Sequence, residues 1–190
     1  MKIGIQGGKG SFCEEAAQTF SLNHGIKDPE IIYLISSGAV LEGVETGKVD
    51  YGVFAMENAQ GGVVIESVEA MAEYRCLIVD MFHITISQNL LTKEDIHIGD
   101  NTEIHSHQQA LRQCKDYLAE HFWTCPLIEA DDTAEAARRL SQGKLSKTCG
   151  VVGSKYCAEI YELKILQEDI HDLKHNLTLF LGVEKLKETK

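Results

Sequence analysis

Short runs rich in valine, isoleucine and tyrosine alternate with segments of helical period along nearly the whole chain. This alternation is typical of an α/β protein with mainly parallel sheets. The first strand-like runs are residues 2–6, 31–35 and 51–55, and a helix-like segment follows each of them. The chain has only 2 prolines and no repeat or Gly/Ser-rich linker, so a domain boundary should be a strand crossing rather than a tether.

Two crossings divide the chain in this interpretation. The long apolar segment 76–86 is the best candidate for the first, and the second should fall near residues 167–173. We therefore expect residues 1–77 together with 168–190 to form one subdomain and residues 78–167 to form the other. Grooves between domains commonly hold ligands, so the cleft between the subdomains is the expected ligand site.

Composition excludes several classes of function. A chain of 190 residues with 44% hydrophobic residues can bury a core, and a net charge of −11 argues against nucleic acid as a partner. No signal peptide and no run of about 18 apolar residues is present, so we expect a cytoplasmic protein without membrane contact. The 6 cysteines form no C-x-x-C pair and the 8 histidines no H-E-x-x-H motif, so no metal is expected.

Two turns that follow strands carry candidate binding groups. The glycine-rich stretch 6–12 could present backbone N–H groups to an anion such as a carboxylate, or could simply be a turn in which Ser11 caps the next helix. Asn58 follows the third strand, at the end of a sheet where α/β proteins place ligand contacts. Asparagine in a turn often bonds only to its own backbone, so both interpretations of Asn58 remain open.

Two later stretches supply further candidates. Ser106 should cap the helix that follows it, or should face an anion together with the first N–H groups of that helix, and His107 lies beside it. In the last strand, the leucines at 177, 179 and 181 should face one side. Thr178 and Phe180 should face the other, which puts a hydroxyl beside an aromatic ring.

Six segments, in order along the chain, resemble motifs of the prephenate dehydratase family. They are GGKGSFCEEAA (7–17), MENAQGGVVIESVE (56–69), HSHQQALRQC (105–114), DDTAEAAR (131–138), VGSKYCAEIYELKIL (152–166) and DIHDLKHNLTLF (169–180). The resemblance implies two α/β subdomains like those of a type II periplasmic binding protein, with the substrate in the cleft. It also implies a cofactor-free lyase of phenylalanine biosynthesis that converts prephenate to phenylpyruvate, and a possible homodimer.

The family pattern also implies roles for individual residues. Thr178 corresponds to the motif threonine that assists the leaving hydroxyl. The other matching positions that should face the substrate are Ser11, Asn58, Ser106, His107 and Asn176, with Phe180 beside the threonine.

The chain departs from the pattern at the arginine of Thr-Arg-Phe, which is Leu179 here. Loss of a guanidinium next to a carboxylate could lower the rate or change the outcome of the reaction. A prephenate decarboxylase and a non-catalytic carboxylate-binding relative therefore remain alternatives, and arogenate remains an alternative substrate. The regulatory ACT domain that usually follows in the family has no counterpart in the sequence, so feedback control within this chain is not expected.

Overall fold

The structure is a computed structural model that describes residues 1–94 and 102–186. The chain falls into two compact units. The first comprises Met1–Thr85 with Asn176–Lys190, and the second comprises Ile86–His175. The predicted α/β class with two subdomains is confirmed. Residues 187–190 of the first predicted subdomain and 95–101 of the second lie outside the described residues.

Both crossings come later in the chain than the predicted boundaries at 77/78 and 167/168. Strand β5 (Cys76–Thr85) pairs with the last strand, β11 (Leu177–Lys185), from end to end, so the first crossing follows Thr85. Ile170 is buried in a core cluster of the second unit, and its N–H donates to the carbonyl of Gln88 at 2.8 Å. These tertiary contacts determine where the chain crosses between the units. The pattern of hydrophobic residues in the sequence does not reveal such contacts.

The first unit is built around one sheet with strand order β2-β1-β3-β11-β5, and β4 is attached to β3. Strands β1, β2 and β3 are parallel, whereas β11 runs antiparallel to both of its neighbours. Four strands of this path therefore point one way and one is reversed. Besides β5 and β11, the elements are β1 (Lys2–Ile5), α1 (Phe12–Asn23), β2 (Glu30–Tyr33), α2 (Ser37–Thr46), β3 (Tyr51–Asn58), β4 (Gly62–Val63) and α3 (Ile65–Glu73).

The second unit repeats this arrangement with strand order β10-β6-β9-β7-β8. Strands β7, β8 and β9 are parallel, and β6 is the reversed strand between β9 and β10. Its elements are β6 (Asn89–Thr92), β7 (Ile104–Ser106), α4 (Gln108–Gln113), α5 (Lys115–His121), β8 (Leu127–Glu129), α6 (Thr133–Ser141), β9 (Gly150–Gly153), α7 (Lys155–Ile160) and β10 (Lys164–Gln167).

The strands of the second sheet bury alternate residues on opposite faces, as the two-residue period of a strand requires. Leu91 and Val151 belong to the cluster formed with α6 and α7, whereas Leu90 and Val152 belong to the cluster formed with α4 and α5. The position of a residue in β7 or β9 therefore determines the face of the sheet on which its side chain lies. Polar side chains of the second unit can contact each other only if they lie on the same face.

Helix starts follow short polar side chains. Oxygens of Ser11, Ser36, Asp132 and Ser154 each accept a hydrogen bond from the N–H group three residues further on, which satisfies a donor that the helix itself leaves unpaired. The described residues include no helix that is both long and apolar enough to span a membrane.

Gly182 of β11 packs directly under an aromatic ring of α1. A methyl group at this position would lie 2.4 Å from Cε2 of Phe20, which is fully buried. We predict that Gly182→Ala lowers the free energy of unfolding by about 1–3 kcal/mol, because the core must shift to admit the methyl. Gly38→Ala is the matched control, since nothing lies within 4 Å there, and it should keep or raise stability. Equal urea midpoints for the two variants would contradict this packing.

Candidate active site

Three polar side chains form a hydrogen-bonded group where β11 begins beside the end of β3. Thr178 pairs directly with Asn58 in the antiparallel ladder, and Asn176 immediately precedes β11. Asn58 Nδ2 lies 2.8 Å from Thr178 Oγ1 and 2.8 Å from Asn176 Oδ1. Thr178 is buried and Asn176 is fully buried. Strand pairing thus brings together three residues that were predicted as site residues from separate segments of the sequence.

The amide of Asn58 has one possible orientation. Its Oδ1 accepts hydrogen bonds from the N–H groups of Gln60, at 3.1 Å, and Gly61, at 2.7 Å. An amide nitrogen cannot accept these bonds, so Nδ2 must be the atom that faces Thr178. Thr178 Oγ1 is therefore the acceptor in its bond with Asn58, and its own hydrogen remains to be donated. Within residues 1–94 and 102–186, no acceptor takes that hydrogen.

Asn176 adds a second unused donor to this group. Its Oδ1 is held by Asn58, and its Nδ2 is buried without a partner among the described residues. A buried donor without a partner costs on the order of 1–3 kcal/mol. Two donors of the group, the Thr178 hydroxyl and Asn176 Nδ2, thus have no acceptor among the described residues, and all three side chains are neutral.

Phe180 and Leu181, which follow in β11, lie on opposite faces of the sheet. Phe180 is 1% exposed and stacks on Phe82, with ring centroids 6.1 Å apart. Phe82 in turn lies beside Phe20 of α1. Leu181 is buried on the other face, in the cluster formed with α2 and α3. This agrees with the predicted alternation, and the same alternation puts the half-buried Leu179 on the face away from Thr178.

Two charged or titratable side chains of adjacent strands lie opposite Leu179. Its register partners are Glu57 on β3 and His83 on β5, both exposed. Between Leu179 and Phe180 the register with β3 shifts, so Met56 of β3 has no direct partner on β11. A bulge of this kind re-aims the residues beyond it. The bulge separates the pairing of Thr178 with Asn58 from the regular ladder that follows.

The glycine-rich turn before α1 is occupied by a side chain of the protein itself. Ser11 Oγ accepts from the N–H of Glu14, as an N-cap does. The buried Glu14 carboxylate accepts from the N–H of Gly10 at 2.6 Å and from the hydroxyl of Tyr33 at 2.8 Å. A backbone N–H group of the turn, that of Gly10, which in one interpretation of the sequence binds an anion, is therefore already bonded to the carboxylate of Glu14. The next residue, Glu15, has its pKa raised by burial.

In the second unit, His107 rather than Ser106 caps the helix. His107 Nδ1 accepts from the N–H of Gln109 at 3.2 Å, so its Nε2 carries the hydrogen of the neutral ring. Ser106 is fully buried, and its hydroxyl donates to the carbonyl of Val152 at 2.8 Å. The predicted capping role of Ser106 is wrong, because the serine is the last residue of β7 and its side chain bonds across to β9.

Sequence reasoning did not select two side chains, one that contacts Glu14 beside the glycine-rich turn and one that contacts the predicted site residue Ser106. Tyr33 reaches Glu14 from β2, and Thr133 Oγ1 lies 3.3 Å from Ser106 Oγ. Thr133 stands in the DDTAEAAR segment, where the family motif offered a signal. For Tyr33 no local signal exists, since it meets Glu14 only through the pairing of β1 with β2.

The fold defines the class of protein: an α/β protein of two units, each with its own mixed sheet. The family model described as prephenate dehydratase matches residues 3–188. This chain therefore belongs to the prephenate dehydratase family.

Individual relatives agree with that assignment. A prephenate dehydratase of Lactococcus lactis subsp. lactis is 34% identical, and the alignment covers 97% of this chain and 64% of that protein. A prephenate dehydratase from Arthrobacter aurescens, solved in complex with L-Phe, superposes with a TM-score of 0.87 at 23% identity, over 98% of this chain and 61% of the other. This chain spans less than two thirds of either protein.

The wider fold resemblance reaches binding proteins. A nutrient-binding protein from Burkholderia cenocepacia, solved with methionine bound, superposes with a TM-score of 0.52 at 14% identity. The alignment covers 97% of this chain and 84% of that one. The predicted similarity to periplasmic binding proteins is confirmed as a similarity of fold.

We predict that Asn58→Asp disrupts the group on β11, because a carboxylate oxygen would face Asn176 Oδ1 and two acceptors would meet without a hydrogen. The expected loss is about 1–3 kcal/mol in the free energy of unfolding, measured with urea. Gln60→Glu adds the same charge to the same turn at an exposed position and should change stability by no more than about 0.5 kcal/mol. Equal losses in the two variants would contradict the assigned amide orientation.

Proposed function

We propose that this chain is a prephenate dehydratase, a lyase that converts prephenate to phenylpyruvate, water and carbon dioxide without a cofactor in the cytoplasm. Family membership over residues 3–188 supports the proposal. The single observation that carries it is the bond from Asn58 Nδ2 to Thr178 Oγ1, which leaves the hydroxyl hydrogen of Thr178 to be donated.

The reaction needs one proton at the departing oxygen. The ring C–O bond breaks, its electrons leave with the hydroxyl, and a proton completes the water. The C–C bond to the ring carboxylate also breaks, its electrons enter the ring, and carbon dioxide departs. Formation of the aromatic ring drives both changes, so the protein has to position the substrate and assist the leaving oxygen.

Thr178 is suited to that assistance as a hydrogen-bond donor. Because Asn58 holds the threonine oxygen from one side, the hydroxyl hydrogen is directed to an acceptor outside the group. A bond that strengthens as negative charge develops on the leaving oxygen lowers the barrier more than it tightens substrate binding. The burial of Thr178 keeps water from competing for that bond.

The substrate also carries two carboxylates, which require donors. We assign the amide of Asn176 and the Nε2–H of His107 as candidates, since both donors are unused in the bonding described above. Ser11 and Ser106 are weaker candidates for substrate contact because the hydroxyl of each already makes a structural hydrogen bond. Phe180 is also a weaker candidate, because its ring stacks on Phe82. These assignments remain predictions.

We predict that Thr178→Val lowers the turnover number for phenylpyruvate formation by about 10²–10³, the usual cost of one oriented donor to a developing charge. Thr178→Ser, which keeps the hydroxyl, should retain most of the activity. Thr85→Val is the matched control, because Thr85 is an exposed threonine on the neighbouring strand. The measurement is phenylpyruvate absorbance after mixing with prephenate and, separately, formation of phenylalanine after mixing with arogenate.

Three outcomes would contradict the proposal. Near-normal turnover in Thr178→Val would remove the threonine from the mechanism. Release of carbon dioxide without phenylpyruvate would indicate a decarboxylase. Binding of prephenate without turnover in the unchanged protein would indicate a non-catalytic relative.

The leucine in place of the motif arginine should have little effect on the chemical step. We predict that Leu179→Arg changes the turnover number less than about tenfold, because the side chain lies on the face opposite Thr178. It should stabilise the protein by about 0.2–1 kcal/mol through a cross-strand pair with Glu57. Leu177→Arg, whose partner on β5 is Thr85, adds the same charge without that pair and should give no gain. A rise in the turnover number of 10² or more in Leu179→Arg would show that an arginine at position 179 acts on the substrate.

A further inference from the structure

Three potential metal ligands converge in the second unit, apart from any predicted site residue. His105 Nε2 lies 3.1 Å from Glu103 Oε2, and Cys149 Sγ lies 4.0 Å from the same oxygen. All three ligand atoms lie within 4.8 Å of one another. His105 and Cys149 are buried, whereas half of the Glu103 side chain is exposed. The trio therefore has two enclosed ligands and one that opens to solvent.

The parallel ladder between β7 and β9 fixes this arrangement. Ile104 pairs with Gly150, and the N–H of Gly150 donates to the carbonyl of Glu103 at 2.9 Å. Cys149 therefore lies across from Glu103, and His105, two residues after Glu103, points to the same face. Ligands carried on paired strands are held in place before any ion binds, which favours a defined site.

The distances between the ligand atoms are close to those that an ion would require. A tetrahedral Zn²⁺ with bond lengths of about 2.0–2.3 Å needs its N, O and S ligands about 3.3–3.6 Å apart. Two of the observed separations, 3.1 and 4.0 Å, bracket that value, and the third is no more than 4.8 Å. The S···O separation is at the outer limit for a bond from a thiol. As a hydrogen-bonded group the trio would leave the thiol poorly paired.

The chemical types of the ligands provide the second argument. A cation between the Cys149 sulfur and the Glu103 carboxylate would let the cysteine bind as a thiolate beside that second anion. A divalent ion would neutralise both anionic ligands, and the imidazole would complete three protein ligands of the types that zinc prefers.

We propose that Glu103, His105 and Cys149 bind a divalent ion of the zinc class, with a fourth position open to water. The ion would join the starts of β7 and β9. It would lie on the face of the sheet opposite to Ser106, because successive residues of a strand alternate. The expectation of no metal came from short sequence motifs, and here the second and third ligands are far apart in the chain.

The test uses the full chain after removal of metal with a chelator, and Co²⁺ as the spectroscopic probe. We expect one equivalent of Co²⁺ to bind with a thiolate-to-cobalt charge-transfer absorption, and Zn²⁺ to displace it. Cys149→Ser should abolish that absorption. Glu103→Gln, at a half-exposed side chain, should weaken Co²⁺ binding at least about tenfold. Cys76→Ser, a half-buried thiol in the first unit, is the matched control and should leave both unchanged.

The proposal is overturned if the unchanged protein shows no such absorption, or if Cys149→Ser shows the same absorption as Cys76→Ser. Should Cys149→Ser fail to fold by circular dichroism, Glu103→Gln decides, and unaltered Co²⁺ affinity in that variant overturns the site. Neither readout depends on catalytic activity.

Discussion

The insertion of β11 between β3 and β5 is the constraint on which the first unit depends. This strand comes from the far end of the chain, pairs antiparallel with both neighbours and brings Thr178 against Asn58, 120 residues away in sequence. It also places Gly182 under Phe20 and buries Phe180 and Leu181 on opposite faces. The candidate chemistry and the packing of the core are thus consequences of one strand pairing.

Much of this could be predicted from the sequence because it depends on local periodicity. Alternation within β11 predicts that Thr178 lies away from the leucine face, and a helix cap at Ser11 is one of the two interpretations that its position before a helical run allows. The crossings, the cap at His107 and the bond from Ser106 to Val152 could not be predicted in this way. Each depends on which strands are neighbours in space, and hydrophobic period carries no such information.

Long-range contacts also decided the chemistry that local patterns left open. The turn at Gly10 is suited to a carboxylate, and the structure fills it with Glu14. Leu179 replaces the arginine of the family motif and so removes a positive charge. The alternation of side chains along β11 places this residue beside Glu57 and on the face away from Thr178. What remains near Thr178 is a neutral set of donors whose orientation is fixed by the backbone of the turn after β3. Such a set assists a leaving group by preorganised hydrogen bonds rather than by net charge.

The central claim is that the hydroxyl of Thr178 donates to the departing oxygen of the substrate. The most direct measurement is a crystal structure of the unchanged protein with a prephenate analogue whose saturated ring cannot aromatise. The account predicts the ring hydroxyl oxygen at about 2.6–3.2 Å from Thr178 Oγ1, with the bond from Asn58 Nδ2 to Thr178 retained. An analogue bound with its ring hydroxyl away from Thr178, or a Thr178 hydroxyl that donates to another protein group in that complex, would contradict it.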